Sequence, residues 1–341
     1  MKINFDYDRK KVVFTKGYIL KGKLFRCNYV KFRSLYRDAA KGTEYVELYS
    51  YEPKDKPKGS CLIIHGLGTR NIKFLMWLGS TLASFNVSCN LLILPYNYTR
   101  VAKGSVSGKN YVYPDMEIMY KTWEHAIVDL RTTLDYMEDE HILQDKNCTL
   151  GYCLGGMLNS ILSSIDSRTG ESILLNTGGY FPKIIHECPV GKFAQRMFSK
   201  GYSTDYNLHD KYKLYNIYDN QLSTVKKLSL DELLNSEDIH PLFKIDPLSY
   251  SHLLNKKRVT FIDGIYDETL PIISRSLLYK ELNGSTRYLL PMTHGSTLLF
   301  EFFIAQYILL KLGIPSVPNL KHLVPPDFKI PLVSDFLDYI K

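Results

Sequence analysis

The sequence predicts an α/β protein built on a mostly parallel, doubly wound sheet. Short, wholly apolar runs occur along most of the chain, and such runs are typical of strands buried on both faces. Between them lie longer segments whose apolar residues recur at helical spacing. The chain has 341 residues, of which 45% are hydrophobic and 23% charged. This length and composition suit a globular protein with two domains, or with one α/β domain that carries a sizeable insertion.

Strands and helices alternate from a Pro- and Lys-rich break at 53–59 onwards, as expected for parallel strands joined by helical crossovers. The predicted strands cover residues 60–65, 90–94, 148–152, 172–176, 258–263 and 287–290. The predicted helices cover residues 72–85, 115–140, 154–165, 271–282 and 297–312.

Four regions follow from this pattern. Residues 1–56 form a β-rich N-terminal extension with β-prone runs at 11–15 and 45–51. The α/β core covers 57–180 and 256–315, and it is interrupted at 181–255 by a polar, Tyr- and Lys-rich segment of predicted short helices. We expect this insertion to form a lid above the sheet. Residues 316–341 form a Pro-rich tail.

The composition narrows the class of protein further. The net charge is 43 − 35 = +8, but no long run of like charge occurs, so we expect no nucleic-acid partner. The six cysteines form no C-x-x-C pair and the N-terminus lacks an apolar signal sequence, which predicts a reduced, cytoplasmic protein. The longest apolar stretch, 296–314, is interrupted by Glu301, Gln306 and Lys311, and therefore predicts a packed helix without a membrane span.

The most informative motif is GYCLGG at 151–156, between a predicted strand and a predicted helix. A side chain that projects from such a corner strains its own backbone, and neighbouring chain then leaves room only for small residues. Gly151 and Gly155 occupy those positions around Cys153. The start of a helix favours an anion at Cys153, and the N–H of Leu154 points to where an oxyanion would form. The alternative is a buried structural cysteine; the spacing fits neither a dinucleotide-binding motif nor a P-loop.

A nucleophile of this type needs an acid and a histidine later in the chain, in that order. Asp267 follows the predicted strand 258–263, at the edge where α/β sheets build their sites. Asp263 and Glu268 are competing carboxylates, but Asp263 lies inside the strand end and Glu268 points away. His294 lies in the loop before the last helix and is the candidate base, oriented by the carboxylate.

A glycine-rich turn, His65-Gly66-Leu67-Gly68, ends the first core strand. It can present a second backbone N–H, that of Leu67, to the same oxyanion. For the His65 side chain we favour a buried structural role. Tyr96 and Arg100 follow the next core strand and are weaker candidates for substrate contact, with Arg100 as a partner for a carboxylate.

These motifs, in this order, resemble the α/β-hydrolase superfamily over residues 58–314, apart from the insertion. The GYCLGG elbow is similar to that of dienelactone hydrolases, in which Cys replaces the usual Ser. The segments 94–96, 114–115 and 176–179 resemble a branch of bacterial α/β-hydrolase-domain proteins that usually carries Ser at this position. The resemblance implies the α/β-hydrolase fold with a helical lid. It also implies a catalytic triad of Cys153, Asp267 and His294. The backbone N–H groups of Leu67 and Leu154 would then be the oxyanion donors.

The resemblance implies a hydrolase that acts on an ester, lactone or thioester through a covalent acyl-enzyme. Its partner is a small-molecule acyl substrate, no metal or other cofactor is expected, and a homodimer is left open. Two alternatives remain. Polyhydroxyalkanoate synthases, which are acyltransferases, share the Gly-x-Cys-x-Gly-Gly box, but they lack the His-Gly turn present here as His65-Gly66. The other alternative is a non-catalytic, hydrolase-like binding protein.

Overall fold

The computed structural model describes residues 1–68, 72–203 and 206–316. Within these residues nine strands form one sheet in the order β1-β2-β3-β5-β4-β6-β7-β8-β9. The strands are β1 (Phe14–Lys21), β2 (Phe25–Arg33), β3 (Tyr45–Pro53), β4 (Gly59–Ile64), β5 (Val87–Ile93), β6 (Asn147–Tyr152), β7 (Glu171–Leu175), β8 (Val259–Gly264) and β9 (Thr286–Leu290).

The sheet changes direction once along its width. Strands β1, β2 and β3 form an antiparallel meander, and β3 is antiparallel to β5. From β5 to β9 every neighbouring pair is parallel. The carboxyl ends of these six parallel strands therefore share one edge of the sheet, where α/β proteins place their functional loops.

Helices cover both faces of the sheet. They are α1 (Ile72–Ser84), α2 (Met116–Asp139), α3 (Leu154–Ile165), α4 (Phe181–Glu187), α5 (Lys192–Ser199), α6 (Lys211–Val225), α7 (Leu230–Asn235), α8 (Pro247–Tyr250), α9 (Ile272–Glu281) and α10 (Glu301–Lys311). The longest, α2, starts where it does because the Asp115 side chain accepts hydrogen bonds from the N–H groups of Glu117 and Ile118. Helices α1 and α10 pack on each other, as do α2 and α3.

The predicted α/β class with a mostly parallel sheet is confirmed, and each predicted core strand overlaps an observed one. The N-terminal region differs from the prediction. The run predicted at 11–15 is wrong in its boundaries, since β1 begins at Phe14, and the whole of β2 escaped the sequence pattern. Arg26, Lys31 and Arg33 interrupt the apolar residues of β2, because one face of this part of the sheet is partly open to solvent.

The insertion between β7 and β8 carries the helices α4 to α8 and is fastened to the core by a buried carboxylate. The Asp246 side chain accepts hydrogen bonds from the backbone N–H groups of Tyr180 and Phe181 and from the Tyr218 hydroxyl. Burial raises the pKa of Asp246 to about 6. These bonds hold the start of α4 against the segment that leads back into β8.

Two sequence expectations concern the end of the chain. The tail predicted at 316–341 lies outside the described residues except for Ser316. The apolar stretch at 296–314 contains α10, which packs on α1. Among the described residues, no helix is both long enough and apolar enough to span a membrane.

Candidate active site

Cys153 lies at a strained corner between β6 and α3. Its backbone has φ 53° and ψ −114°, a conformation that residues with side chains rarely adopt. A Cβ at Gly155 would lie 2.1 Å from the Ile64 carbonyl oxygen, and one at Gly151 would lie 2.2 Å from the Gly155 carbonyl oxygen. Neither position admits a side chain, so the glycines of the motif are required by the close approach of β4, β6 and α3.

Hydrogen bonds hold the corner on both sides of Cys153. The N–H of Cys153 donates to the Leu175 carbonyl oxygen over 2.9 Å, and the Thr177 hydroxyl donates to the Cys153 carbonyl oxygen over 2.8 Å. Leu154 is the first residue of α3, so Cys153 lies at the positive end of a helix of 12 residues. The Cys153 side chain is thus fixed at the carboxyl edge of the sheet, in a setting that favours an anion.

Asp267 and His294 come together at the same edge. His294 Nδ1 donates to Asp267 Oδ2 over 2.8 Å, and Asp267 Oδ1 accepts hydrogen bonds from the N–H groups of Thr269 and Leu270. The side chain of Asp267 is fully buried and that of His294 is 13% exposed. His294 lies close enough to Cys153 to form a hydrogen bond with it. The three side chains therefore form a line from carboxylate to imidazole to thiol.

The charges of this line stabilise one another. Burial alone would lower the pKa of His294, but the negative charge of Cys153 and the hydrogen bond with Asp267 raise it to about 10. Burial alone would raise the pKa of Asp267, yet the hydrogen bond from His294 and the neighbouring backbone N–H groups lower it overall. Both shifts favour a carboxylate that faces an imidazolium.

The two competing carboxylates have other environments. Asp263 forms an ion pair with Arg287, with 2.8 Å between Oδ2 and Nε, and burial raises the pKa of Asp263. Glu268 is exposed to solvent. Of the three acidic side chains in this segment, Asp267 is therefore the one that contacts His294.

Sequence reasoning did not single out Asn176, which links the loops that carry the other two side chains. Its Nδ2 donates to the His294 carbonyl oxygen and to Thr297 Oγ1, each over 2.9 Å, and its Oδ1 accepts from the Gly264 N–H over 2.8 Å. The Tyr152 hydroxyl donates to the same His294 carbonyl over 3.1 Å. The sequence signal was an Asn directly after a buried strand, a position that tolerates a left-handed backbone (φ 46°).

Arg275 is a second residue that sequence reasoning missed. This buried side chain donates to the carbonyl oxygens of Gly264 and Leu270, and its Nε lies 3.9 Å from Asp267 Oδ2. These hydrogen bonds stabilise the loop that carries Asp267 at both of its ends. No pattern marks it, since Arg275 lies within a helix where a positive charge is ordinarily exposed.

The glycine-rich turn after β4 presses against the corner. A Cβ at Gly66 would lie 3.0 Å from Cys153 Cβ, so the turn that carries Leu67 adjoins Cys153. The buried His65 donates from Nδ1 to the Gly66 carbonyl oxygen and accepts at Nε2 from the Leu94 N–H over 3.0 Å. Burial lowers the pKa of His65 to about 4. The structural role predicted for His65 is thereby confirmed.

Arg100 does not lie where we predicted a substrate contact. Its guanidinium group is 1% exposed and pairs with Asp129 Oδ2 over 2.6 Å. It also donates to the carbonyl oxygens of Ile93 and Thr43. The expectation that Arg100 meets a carboxylate of the substrate is wrong, because the guanidinium group is already paired with Asp129, a buried carboxylate of α2.

Tyr96 is also turned into the protein. It has φ 59°, is 6% exposed and packs edge-on against His125 with 5.9 Å between ring centroids. Its carbonyl oxygen accepts from the Gly108 N–H over 2.7 Å. The residue shapes the loop after β5 and is largely buried, and a contact between its ring and the substrate stays a prediction.

Cys188 follows α4 in the insertion. This cysteine is buried, and burial raises its pKa, with smaller contributions from the charges of Cys153, Glu187 and Asp267. The charges of Cys153 and Asp267 thus act on a thiol of the insertion, and the role of the insertion as a lid stays a prediction. Within the described ranges, no group of three or more His, Cys, Asp or Glu residues is arranged to hold a metal ion.

Comparison with known proteins places the fold. No protein-family model matches the chain, and no curated protein matches it in sequence. Solved structures do match: acetyl xylan esterase 1 from Thermoanaerobacterium sp. JW/SL YS485 superposes with a TM-score of 0.53 at 13% identity, over 89% of this chain and 89% of that one. TT1662 from Thermus thermophilus gives 0.52 at 14% identity, over 79% and 95% of the two chains.

A third match is the acylaminoacyl peptidase of Pyrococcus horikoshii, with a TM-score of 0.52 at 14% identity over 85% of this chain and 41% of that one. The chain therefore has the α/β-hydrolase fold, as predicted.

Proposed function

We propose that this protein hydrolyses an ester, lactone or thioester, with Cys153 as nucleophile, His294 as proton shuttle and Asp267 as its orienting acid. The observation that carries the proposal is the line from Asp267 Oδ2 through His294 to Cys153, built at a strained corner on the carboxyl edge of the sheet. A nucleophile, an acid and a base, in this chain order, are the parts of acyl-transfer catalysis.

The reaction begins when the Cys153 thiolate attacks the carbonyl carbon and forms a C–S bond. The carbonyl oxygen takes the electron pair and becomes an oxyanion. As the oxyanion collapses, the bond to the leaving group breaks, and protonated His294 gives its proton to the departing oxygen or sulfur. His294 then removes a proton from water, which attacks the thioester carbonyl carbon of the acyl-enzyme and forms a second oxyanion. The collapse of this oxyanion breaks the C–S bond and releases the acid product and the Cys153 thiolate. Asp267 keeps the imidazole oriented throughout.

The oxyanion needs hydrogen-bond donors that are in place before the reaction. We assign this role to the backbone N–H groups of Leu154 and Leu67. Leu154 opens α3 directly after Cys153, and Leu67 belongs to the turn whose Gly66 touches the nucleophile. Backbone donors from two rigid turns cost no reorganisation when charge develops on the oxygen.

The thiol favours ester-like substrates over peptides. In a tetrahedral adduct the thiolate leaves more readily than an amide nitrogen, so a peptide adduct collapses back to the starting materials. An alkoxide or thiolate leaving group competes better. Two of the similar structures are acetyl xylan esterases and one is an acylaminoacyl peptidase, and the chemistry of sulfur selects the first kind of reaction.

Mass spectrometry of the intact protein tests the proposal. After exposure to a panel of short p-nitrophenyl esters, lactones and thioesters, we expect an added acyl mass located on Cys153. The variant Cys153→Ala should gain none, and Cys188→Ala is the matched control, since it removes a buried thiol beside the same site. Acylation of Cys153→Ala to the same extent would refute the assignment.

The same assay separates hydrolysis from acyl transfer. Ester turnover is measured in water alone and with increasing concentrations of an alcohol acceptor. A hydrolase releases the free acid at full rate without acceptor. If product forms only with acceptor present, the protein is an acyltransferase that uses the same residues.

A further inference from the structure

The two edges of the sheet carry different protection against pairing with another strand. The edge strand β1 carries Lys16 and Lys21 and a bulge between Tyr18 and Leu20. Lysines and bulges are common features that prevent an exposed edge strand from pairing with another chain. The other edge strand, β9, reads Thr-Arg-Tyr-Leu-Leu. Its one charge, Arg287, is paired with Asp263 of the neighbouring strand. Among the residues that the structure describes, strand β9 therefore carries no such protection.

An apolar surface adjoins this unprotected edge. Helix α10 buries one face against the protein, and its other face exposes Phe303 by 66% and Leu310 by 74%. On β9, Tyr288 is 44% and Leu289 55% exposed. A cleft of about 360 Å³ lies between β9 and α10, with nearly all of its lining apolar. A helix that is apolar on both faces is ordinarily covered on both, and an apolar patch of this kind marks an interaction site.

The geometry points to a second copy of this chain as the partner. A lipid surface would cover the apolar side chains, but it would leave the backbone N–H and C=O groups of the β9 edge without partners, which lipid does not tolerate. A second β9 satisfies them. We propose a two-fold homodimer in which β9 pairs with β9 antiparallel and the two α10 helices pack beside the joined strands.

The patch fits the requirements of a two-fold interface. Such an interface uses the same surface on both copies, so it must present knobs and holes together. Here Phe303 stands at the rim of the cleft between β9 and α10. The exposed aromatic and leucine side chains amount to several hundred Å², which approaches the ~800 Å² per partner of a standard interface once the strand backbone is included.

Sedimentation of the full chain over a concentration series tests this proposal, which does not rest on the proposed function. We expect the mass of two chains at micromolar concentration. Leu289→Lys and Leu310→Lys should each raise the dissociation constant at least tenfold. The matched control is Leu20→Lys on the β1 edge, where a leucine of similar exposure (50%) is replaced by the same residue.

Hydrogen exchange gives a second measurement on the unaltered chain. Amides of β9 should exchange more slowly as the concentration rises, and those of β1 should not change. A monomer throughout the series, or a dimer that survives both Leu289→Lys and Leu310→Lys, would overturn the proposal. In the first case the apolar face is covered by another part of the same chain or by a different partner.

A different observation supports a second inference, which rests on the proposed function. Asn176 contacts neither Cys153 nor Asp267, but its amide joins the loop of His294 to that of Asp267. The side chain is fully buried, and its two donors and one acceptor are all used. We infer that Asn176 is a positioning residue, which holds the imidazole at a fixed distance from the thiol and the carboxylate.

The variant Asn176→Gly isolates this role, because glycine accepts the left-handed backbone (φ 46°) and removes only the amide. We expect kcat for ester hydrolysis to fall about tenfold to a hundredfold with little change in KM, since small misplacement of a reacting group has effects of this size. The matched control is Asn207→Gly, the same change at a similar backbone angle (φ 55°) in the insertion.

Alkylation of Cys153 by iodoacetamide reports on positioning even if no ester is turned over. In the unaltered protein His294 adjoins Cys153, and the rate of alkylation depends on how the two side chains are held. In Asn176→Gly the rate of alkylation at a fixed pH should fall severalfold, and in Asn207→Gly it should not change. An unchanged alkylation rate and an unchanged kcat would overturn the role of Asn176. Failure of Cys153→Ala to affect turnover would instead overturn the proposed function.

Discussion

The structure contains two buried pairs of the same residue types in different settings. In the site pair, His294 lies 2.8 Å from Asp267, and its pKa is raised to about 10. In the core pair, His125 lies 3.3 Å from Asp129 on α2, and burial lowers the pKa of His125. The same two side chains thus hold a charged imidazole in one place and a neutral one in the other.

The third partner explains the difference. In the core pair, Arg100 lies 2.6 Å from Asp129 and supplies the positive charge that the carboxylate needs, so a second cation on His125 is disfavoured. In the site pair, Arg275 is more distant from Asp267, at 3.9 Å, and Cys153 adds a negative charge on the far side of the imidazole. Whether a buried Asp–His pair is a candidate catalytic pair therefore depends on the third charged group beside it, Arg100 in the core pair and Cys153 in the site pair.

The largest difference is expected when each histidine is replaced by glutamine. Under the proposed mechanism the imidazole of His294 both removes and donates the proton, so His294→Gln removes both steps. Ester turnover should fall by roughly 10⁴-fold or more. His125→Gln should leave kcat within a few-fold of the unaltered protein, because the hydrogen-bond partners of His125 include Ser34 and Arg100, which are buried in the core. Steady-state kinetics on folded, purified variants measures both, and equal losses would remove the distinction.

Replacing each aspartate by asparagine sharpens the same contrast. Asp267→Asn keeps the shape but offers His294 an amide, which disfavours the required tautomer, and kcat should fall by roughly 10³- to 10⁴-fold. The exposed neighbour Glu268 provides the control, since Glu268→Gln should not change kcat. A strong loss in Glu268→Gln with activity retained in Asp267→Asn would reassign the acid.

For stability, in contrast to kcat, the larger loss is expected in the core pair. Asp129→Asn leaves the buried guanidinium of Arg100 without a counter-charge, and the free energy of unfolding should fall by about 3–5 kcal/mol. Chemical denaturation followed by circular dichroism measures this change. A loss below 1 kcal/mol, roughly that of an exposed pair, would mean that water reaches Arg100.

The protonation states themselves are accessible by nuclear magnetic resonance of the imidazole rings. Because the pKa of His294 is raised, its ring should remain charged above its unperturbed value of about 6.5, and lose its proton towards pH 10. Because the pKa of His125 is lowered, that ring should lose its proton at a pH below 6.5. In Cys153→Ala the His294 titration should move to lower pH, since a negative neighbour is gone.

The smallest effect is expected from a single hydroxyl group. Tyr152→Phe removes one of two hydrogen bonds to the His294 carbonyl oxygen, and Asn176 keeps the other. A bond of this kind contributes about 1 kcal/mol, so kcat should fall by no more than about fivefold. The counterpart is Tyr36→Phe, which stacks on His125 at 4.7 Å and should leave kcat unchanged.

Much of this arrangement could be read from the sequence. The apolar runs located the six parallel strands, and five of these, all except β9, are buried on both faces, which leaves a clear signal. The glycines around Cys153 could be predicted because close backbone approach excludes side chains, and the structure brings Asp267 to His294 as chain order suggested. The roles of these residues in catalysis remain a prediction.

The residues that sequence reasoning misplaced share a physical cause. Arg100 and Arg275 are charged side chains whose partners come from distant segments, so their burial depends on tertiary contacts that no local pattern reports. Asn176 combines a backbone angle with three hydrogen bonds to two other loops. Strand β2 was lost because it is covered on one side only and alternates with basic residues.

The corner at Cys153 has an implication for how such sites change over time. Its φ and ψ angles, the crowded glycines and the bonds from Leu175 and Thr177 all constrain main-chain atoms. None of them depends on whether the atom beyond Cβ is sulfur or oxygen. A lineage can therefore exchange thiol for hydroxyl by one codon change while the scaffold stays intact.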